Sequence, residues 1–540
     1  MKTSNGGASW DEISPDLTRI RAEEKDTKKR RGTILTIAPS PVKEGLIWVG
    51  TDDGNIQITK DGGKTWKNVT PAAITEWSTV GIIEASHFDT GTAYAAVNRN
   101  SLDDFRPHIF RTRNYGESWQ EIVSGISEKD FARTVREDPV RKALLYAGTE
   151  KGVYVSFDDG DRWQTLRLNM PVVSVHDLAI EQDDLVAATY GRSFWILDDI
   201  TPLRQVNPGL ASGGVHLFLP RTATRVRRDE NQDTPLPPEV PTGKNPPDGA
   251  IIDYYLPPNP SGDVQVGIRD EAGNLVHSYS SAPLPKEEGE VPFVAEYWLA
   301  HPLPLAKSPG MHRFVWNLRY SNPPALHVQS PYNYPIAAIV GSTPLPPEGP
   351  LVLPGKYEVQ LQAGGQTLRQ SLEVKQDSRV HAARNELQSA LDLQLRISAV
   401  LTRNYEAYQQ VKQLRARLGE LAKRPKEDPV AVSAKALEEK LRALEGEATP
   451  ILVTAKGVSL MAVNDSLTAL MALVDGADFA PSEESFGSFH RVCQGWKEQL
   501  AAWQELKSKD VEALNGLLAK SNLRLVSTMP AVTADTSCGN

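Results

Sequence analysis

The side chains with most chemical potential fall in short polar stretches between apolar runs. They are Asp52 and Asp53, Glu76 beside Trp77, the segment Asn98 to His108 with Asp103, Asp104, Arg106 and His108, then Asp130, Arg133, Glu150, and Tyr190 with Arg192. Acids beside aromatics suit sugar recognition, because an apolar ring face lies on the aromatic while carboxylates hold hydroxyls. Cleaving a glycosidic bond would need two carboxyls roughly 5 to 9 Å apart, one with a raised pKa. Asp53 and Asp104 are the candidates for that chemistry, which sequence alone leaves unassigned. No metal or cofactor is expected. HExxH, GxSxG and paired CxxC motifs are absent, and Gly63-Lys64-Thr65 lacks a phosphate loop's first glycine, Ile58 standing there. His490, Cys493 and Trp496 share one helical face, read as ordinary core packing.

The elements that would position these residues announce themselves by repetition. SNGGASW, TKDGGKTW, TRNYGESW and SFDDGDRW end at Trp10, Trp66, Trp119 and Trp163, spaced 56, 53 and 44 residues apart, the period of a propeller blade. In each, Asn5, Asp61, Asn114 or Asp158 can accept bonds from turn amides, and Gly7, Gly63, Gly116 or Gly160 can take a positive φ. The tryptophan then buries a large apolar area. These residues, the Asp-box pattern, are structural rather than ligand-binding. Alternating runs such as LIWVGTDDGNIQIT and LLYAGTEKGVYVS supply the preceding strands, and LVAATYGRSFWILDD reads as a last blade without the turn. The first turn starts at residue 4, so the chain is expected to begin inside a β-propeller, with N-terminal blades missing upstream.

Residues 1–205 are therefore a partial propeller of about four blades. Residues 206–262 form a Pro-rich linker, expected to wrap a surface from residue 229, and the start of a second β domain. Over 263–378 apolar residues alternate, as at Val264, Val266, Ile268 and Tyr357, Val359, Leu361, predicting an antiparallel, immunoglobulin-like β-sandwich. Over 379–528 the period becomes helical, as at Val411, Leu414, Leu418, Leu421 and Val492, Trp496, Leu500, Trp503, predicting an α-helical bundle. Residues 529–540 read as a disordered tail. A net charge of −9 argues against nucleic acid as partner, and Lys28-Lys29-Arg30-Arg31 reads as a solvated loop. Two cysteines, Cys493 and Cys538, give no disulfide framework; no apolar run reaches the ~20 residues of a membrane span.

The chain resembles bacterial sortilin-type Asp-box (BNR) propeller proteins, often labelled glycosyl hydrolases. The likeness rests on HFDTGTAYAAVNRNSLDDFRPHIFRTRNYGESW, VREDPVRKALLYAGTEKGVYVSFDDGDRW, VHDLAIEQDDLVAATYGRSFWILDDITPLRQ and VLPGKYEVQLQAGGQTLRQSLEV. The resemblance implies the C-terminal half of a secreted or periplasmic protein about twice this length. Related propellers include xyloglucan-cleaving enzymes, sialidases and sortilin-like peptide receptors. The sialidase arginine triad and tyrosine nucleophile have no counterparts here, and Tyr190 replaces the His of a THGR-like loop. The expected function is binding of a polysaccharide or peptide by Asp52, Asp53, Glu76, Trp77, Asp103, Asp104, Arg106, His108, Tyr190 and Arg192. The alternative is the C-terminal portion of a glycoside hydrolase.

Overall fold

The computed structural model describes residues 1–19, 32–210, 213–227, 235–237, 239–240, 243, 245–283, 295–326, 336–345, 347–446, 458–526, 530–533 and 536–538. Lys28 to Arg31 lie outside them. The chain divides into two compact units, Met1–Ser212 and Gly213–Asn540.

The first unit is a row of antiparallel sheets in chain order. Sheet one comprises β1 (Ile34–Pro39), β2 (Ile47–Thr51), β3 (Ile56–Thr59) and β4 (Lys67–Asn68). Sheet two comprises β5 (Thr79–Ala85), β6 (Ala93–Asn98), β7 (Ile109–Thr112) and β8 (Gln120–Glu121). Sheet three comprises β9 (Ala132–Glu137), β10 (Leu145–Thr149), β11 (Val153–Ser156) and β12 (Gln164–Thr165). Sheet four has β13 (Val175–Glu181), β14 (Asp184–Thr189) and β15 (Phe194–Leu197), followed by the short α1 (Thr201–Gln205). Apolar layers fill the space between consecutive sheets: Trp48 and Ile58 meet Ile83, Tyr94 and Ile109 meet Val135, and Tyr146 and Val155 meet Leu178. Up-and-down sheets packed face to face in sequence order are the arrangement of propeller blades.

The repeated turns weld each sheet to its predecessor. Thr59, Thr112 and Ser156 hydroxyls each accept the amide of the glycine four residues on, at 2.9 Å. Asp61, Asn114 and Asp158 accept the amide four residues on at the same distance. The indole N–H groups of Trp66, Trp119 and Trp163 then donate to the carbonyls of Ile13, Val69 and Ile122, at 2.9, 2.8 and 2.8 Å. Each acceptor lies three residues past the preceding tryptophan. The first turn keeps the same internal bonds, Gly7 to Thr3 and Ser9 to Asn5. Trp10, expected to be buried, is 55% exposed, because no earlier sheet stands against it among the described residues.

The second unit holds two sheets over one apolar core that includes Tyr254, Ile268, Trp316, Val359 and Val374. One orders β16 (His216–Leu217), β18 (Ala250–Leu256) and β21 (Gly310–Trp316), with β18 central. The other orders β17 (Ala223–Arg225), β23 (Gln366–Gln376), β22 (Gly355–Ala363), β19 (Gln265–Arg269) and β20 (Leu275–Ser280). Two expectations change here. The Pro-rich stretch does not simply wrap a surface, since its apolar end is the central strand β18. The sheets are not wholly antiparallel either: β17 pairs parallel with β23, as a long crossover permits.

Helices α2 (Arg384–Leu421), α3 (Pro429–Glu445), α4 (Leu460–Val474), α5 (Glu483–Leu506) and α6 (Glu512–Lys520) pack around a common core. Their starts follow capping chemistry: Asp428, Ser459 and Ser482 accept the amides of Val430, Ala462 and Ser485. Sheets and helices are joined by ion pairs, Arg225 to Asp478 at 2.6 Å, Arg227 to Asp478 at 2.6 Å and Arg319 to Asp475 at 2.8 Å. No described helix is long and apolar enough to cross a membrane.

The cysteine and tail readings need correction. Cys493 and Cys538 form a disulfide, S–S 2.03 Å, although neither spacing nor count signals it. The tail is not disordered throughout, because Val532 and Cys538 enter the helical core. His490 does not join Cys493 and Trp496 in that core; its ring is exposed and 3.2 Å from the Gln494 amide.

Candidate functional site

Antiparallel connectivity sends the β2–β3, β6–β7, β10–β11 and β14–β15 loops, with the links between sheets, to the end opposite the Trp-containing turns. Backbone bonds lace them together: Trp77 N–H to Asp53 O, Glu150 N–H to Phe131 O, and Tyr190 N–H to Ser174 O, at 3.1, 3.1 and 2.9 Å. Short polar loops held this way present side chains from a rigid base.

On sheet one the acids are spent on the loop itself. Asp53 is buried and accepts the Thr51 hydroxyl at 2.5 Å and the Arg19 amide at 2.7 Å, while Asp52 accepts the Thr33 amide at 2.6 Å. Glu76 is exposed, and half-buried Trp77 takes a left-handed φ of 60°. The structure thus joins Trp77 to Asp53 through the main chain, leaving Asp52 and Asp53 as loop supports.

Asp104, Arg106 and His108 do come together. A 3₁₀ turn over Asn100–Leu102 ends at Asp103, whose φ of 58° turns the chain back and leaves its side chain exposed. The Asp104 carboxylate takes both arms of Arg106 at 2.9 Å, Arg99 at 3.4 Å and the His108 ring at 3.1 Å. The other His108 nitrogen meets Glu121 at 2.7 Å. The Arg106 side chain above all holds the Asp104 carboxyl well below the usual carboxylate range; burial opposes it, and the Arg106 amide and His108 add to the lowering. An acid so stabilised as the anion is a poor proton donor. Within the first unit, Glu137 is the described carboxyl shifted upward, by burial, and it sits at the turn-bearing end under the His87 amide, 2.8 Å away.

A second set of residues lies beside this cluster, some of them missed by sequence reasoning. Phe105, 51% exposed, meets Phe131 with centroids 6.2 Å apart, and the Arg133 guanidinium lies 4.8 Å from the Phe131 ring. Arg133 binds Glu150 at 2.7 Å, and Ser174 donates to the same carboxylate at 2.8 Å. Two residues on, His176 stacks on Tyr190, centroids 5.3 Å and planes 14° apart. Burial first, then Arg133, lowers the His176 pKa, partly offset by Glu150. Tyr190 is 75% exposed, and Arg192 beside it is exposed too. Phe105 lies within the candidate loop, between Asp104 and Arg106, whose charges carry the stronger sequence signal. Ser174 and His176, by contrast, flank a strand start and carry no local motif.

Comparison with known proteins finds local likenesses. No family model matches the chain. The oligoxyloglucan-reducing end-specific xyloglucanase of Emericella nidulans is 32% identical over 89 residues, which is 16% of this chain and 10% of that protein. Among solved structures, YCF48 from Cyanidioschyzon merolae is 16% identical, TM-score 0.25, over 31% of this chain and 54% of that one. The GH74 xyloglucanase from Xanthomonas campestris is 12% identical, TM-score 0.25, over 46% of this chain and 36% of that one. The chain thus spans a tenth of the curated relative and about a third to a half of these structures.

Proposed function

We propose that this chain is part of an extracytoplasmic Asp-box β-propeller protein that binds a polysaccharide across its loop-bearing end, without a complete hydrolytic site of its own. One observation carries the reading: the line of contacts from exposed Phe105 through Phe131, Arg133, Glu150 and Ser174 toward the His176–Tyr190 stack. Two outward-facing aromatics with a fixed cation, a carboxylate and hydroxyls between them match a sugar chain, whose rings alternate apolar faces with hydroxyl edges. That mixture supports polysaccharide over peptide as the ligand. The engaged states of Asp53 and Asp104 speak for binding over catalysis. The local identity with a xyloglucanase favours a glucan as ligand and is the observation behind the second reading, a glycoside hydrolase portion.

The remaining parts of the reading follow. The four turns act as Asp-boxes, the stack continues beyond the first turn, and the two sheets of the second unit serve as an immunoglobulin-like packing module. The disulfide supports a secreted or periplasmic location.

Titration calorimetry with soluble xyloglucan oligosaccharides tests the proposal. Phe105→Ala and Tyr190→Ala should each weaken binding by roughly fivefold, the loss of about 1 kcal/mol of ring stacking. Binding indifferent to both changes would remove the loop-bearing end from consideration. Reducing-sugar release abolished by Asp53→Ala or Asp104→Ala would establish the hydrolase reading instead.

A further inference from the structure

In the second unit, α2 carries a row of polar side chains that the rest of the fold leaves unused. Tyr405, Gln409, Gln413 and Arg417 follow one another at intervals of four, so they form a single ridge about 18 Å long on one helix face. Other cations on α2 or just past it are paired with carboxylates: Arg403 with Glu406, Arg415 with Glu438 and Glu445, Lys423 with Glu420, and Arg424 with Asp428. Arg417 differs. Among the described residues it meets no carboxylate, only the Arg524 carbonyl at 3.4 Å, and the side chains of Tyr405, Gln409 and Gln413 meet no polar partner.

The ridge borders a cleft of about 670 Å³, closed on its other side by Arg524, Leu525, Val526 and Pro530. That size falls within the roughly 300 to 1,000 Å³ of small-molecule sites. The far wall is fixed by bonds that do not use the ridge amides. Asn515 of α6 accepts the Val526 amide at 2.8 Å and donates to the Val526 carbonyl at 3.3 Å. Gln410, one row over on α2, accepts the Trp503 indole and donates to the Pro530 carbonyl, both at 3.1 Å. The carboxylate at the cleft, Glu406, is engaged through both oxygens by Arg403, at 3.1 and 3.0 Å. The exposed Arg524 guanidinium has no partner among the described residues. Two cations without carboxylates thus line one cleft in a chain whose net charge is −9.

We infer that this cleft binds a short acidic oligosaccharide, one whose sugar rings carry carboxylates, laid along the α2 ridge. Guanidiniums pair with carboxylates through parallel N–H bonds, which assigns Arg417 and Arg524 to the acid groups. The amides of Gln409 and Gln413 both donate and accept, as sugar hydroxyls do. The Tyr405 ring and Leu525 offer apolar surface to a ring face. An inorganic anion would engage the arginines and leave the amides and the aromatic ring idle. The ridge is longer than one sugar ring, so a chain of rings fits it better than a monosaccharide. This site lies in the second unit and does not depend on the glycan reading of the first.

Calorimetric titration of the 540-residue chain with trigalacturonate, maltotriose and inorganic phosphate tests the inference. Trigalacturonate should bind about tenfold or more tightly than either comparator, since maltotriose lacks the charge and phosphate the rings. Arg524→Gln alters an exposed side chain, so it should keep its circular dichroism while weakening trigalacturonate binding about tenfold. Arg417→Gln should do the same, and Tyr405→Ala should weaken binding roughly fivefold. Phe105→Ala and Tyr190→Ala should leave trigalacturonate affinity unchanged, and Arg524→Gln should leave xyloglucan affinity unchanged, so the two sites can fail separately. Absence of trigalacturonate binding, equal affinity for either comparator, or affinity indifferent to both arginines would overturn the inference.

Discussion

At the scale of single residues, the turn glycines separate conformational from steric demand. Gly7 and Gly160 both hold positive φ, 95° and 89°. A Cβ on Gly160 would lie 2.3 Å from Ile122 Cδ1, whereas on Gly7 it would meet only Trp10, at 3.9 Å. Gly7→Ala should therefore cost about 1 kcal/mol of left-handed strain, and Gly160→Ala clearly more, about 2 to 4 kcal/mol, once overpacking adds to it. Urea denaturation followed by tryptophan fluorescence would rank them. A pH effect belongs here too. Glu84, 3.2 Å away, raises the His87 pKa, with burial opposing. A raised histidine contributes stability that is fully present below its unfolded value near 6.5 and is lost as pH rises through the folded value. Thermal melts should show that decline in the parent protein, and His87→Gln should flatten it.

At the scale of elements, what was legible in the sequence was what is local. A turn that must contain Gly at a fixed offset from Trp writes itself into spacing, so all four turns, and the strands feeding the last three, are legible. The partners of the indoles could not, since Ile13, Val69 and Ile122 are ordinary aliphatics that act through their carbonyls. The candidate loop was legible as a cluster around Asp104, but Asp53 read as a ligand residue because its buried partners, Thr51 and the Arg19 amide, leave no pattern. His176 reaches Tyr190 only through strand pairing. The Cys493–Cys538 bridge is likewise a tertiary fact across 45 residues. It fastens a segment whose carbonyls at Pro530, Val532, Ser537 and Cys538 are held by Gln410, Gln504, Arg396 and Lys497. Cys493→Ser should lower stability by about 2 to 4 kcal/mol and open the chain to limited proteolysis near Val532. Mass mapping of the fragments would check it.

At the scale of the molecule, the second unit behaves as sheets and helices bolted together by charge. Arg225 and Asp478 are both buried, and β17 reaches them only because it joins β23 in parallel. Burial pulls the Asp478 carboxyl upward, yet Arg225 and Arg227 prevail and its pKa is lowered. Its contribution is therefore present above the ordinary carboxylate value and is lost as pH falls through the depressed one. Asp478→Ala would leave the buried Arg225 guanidinium without its carboxylate, while Arg227 keeps Asp475 at 3.1 Å, and should destabilise this unit by about 3 kcal/mol, measured by calorimetry, with far less effect on the first unit's transition.

The indole-to-carbonyl bonds of the first unit all point the same way along the chain, from Trp163 back to Ile122, Trp119 to Val69, and Trp66 to Ile13. Such a series is polar, like couplings between railway carriages: each sheet throws its hook forward to the one ahead and is caught in turn by the one behind. Whichever way the bonds point, the coupling energy is shared equally by the two sheets it joins, so each carriage steadies only its immediate neighbours, and loosening of one sheet is felt first by the sheets next to it.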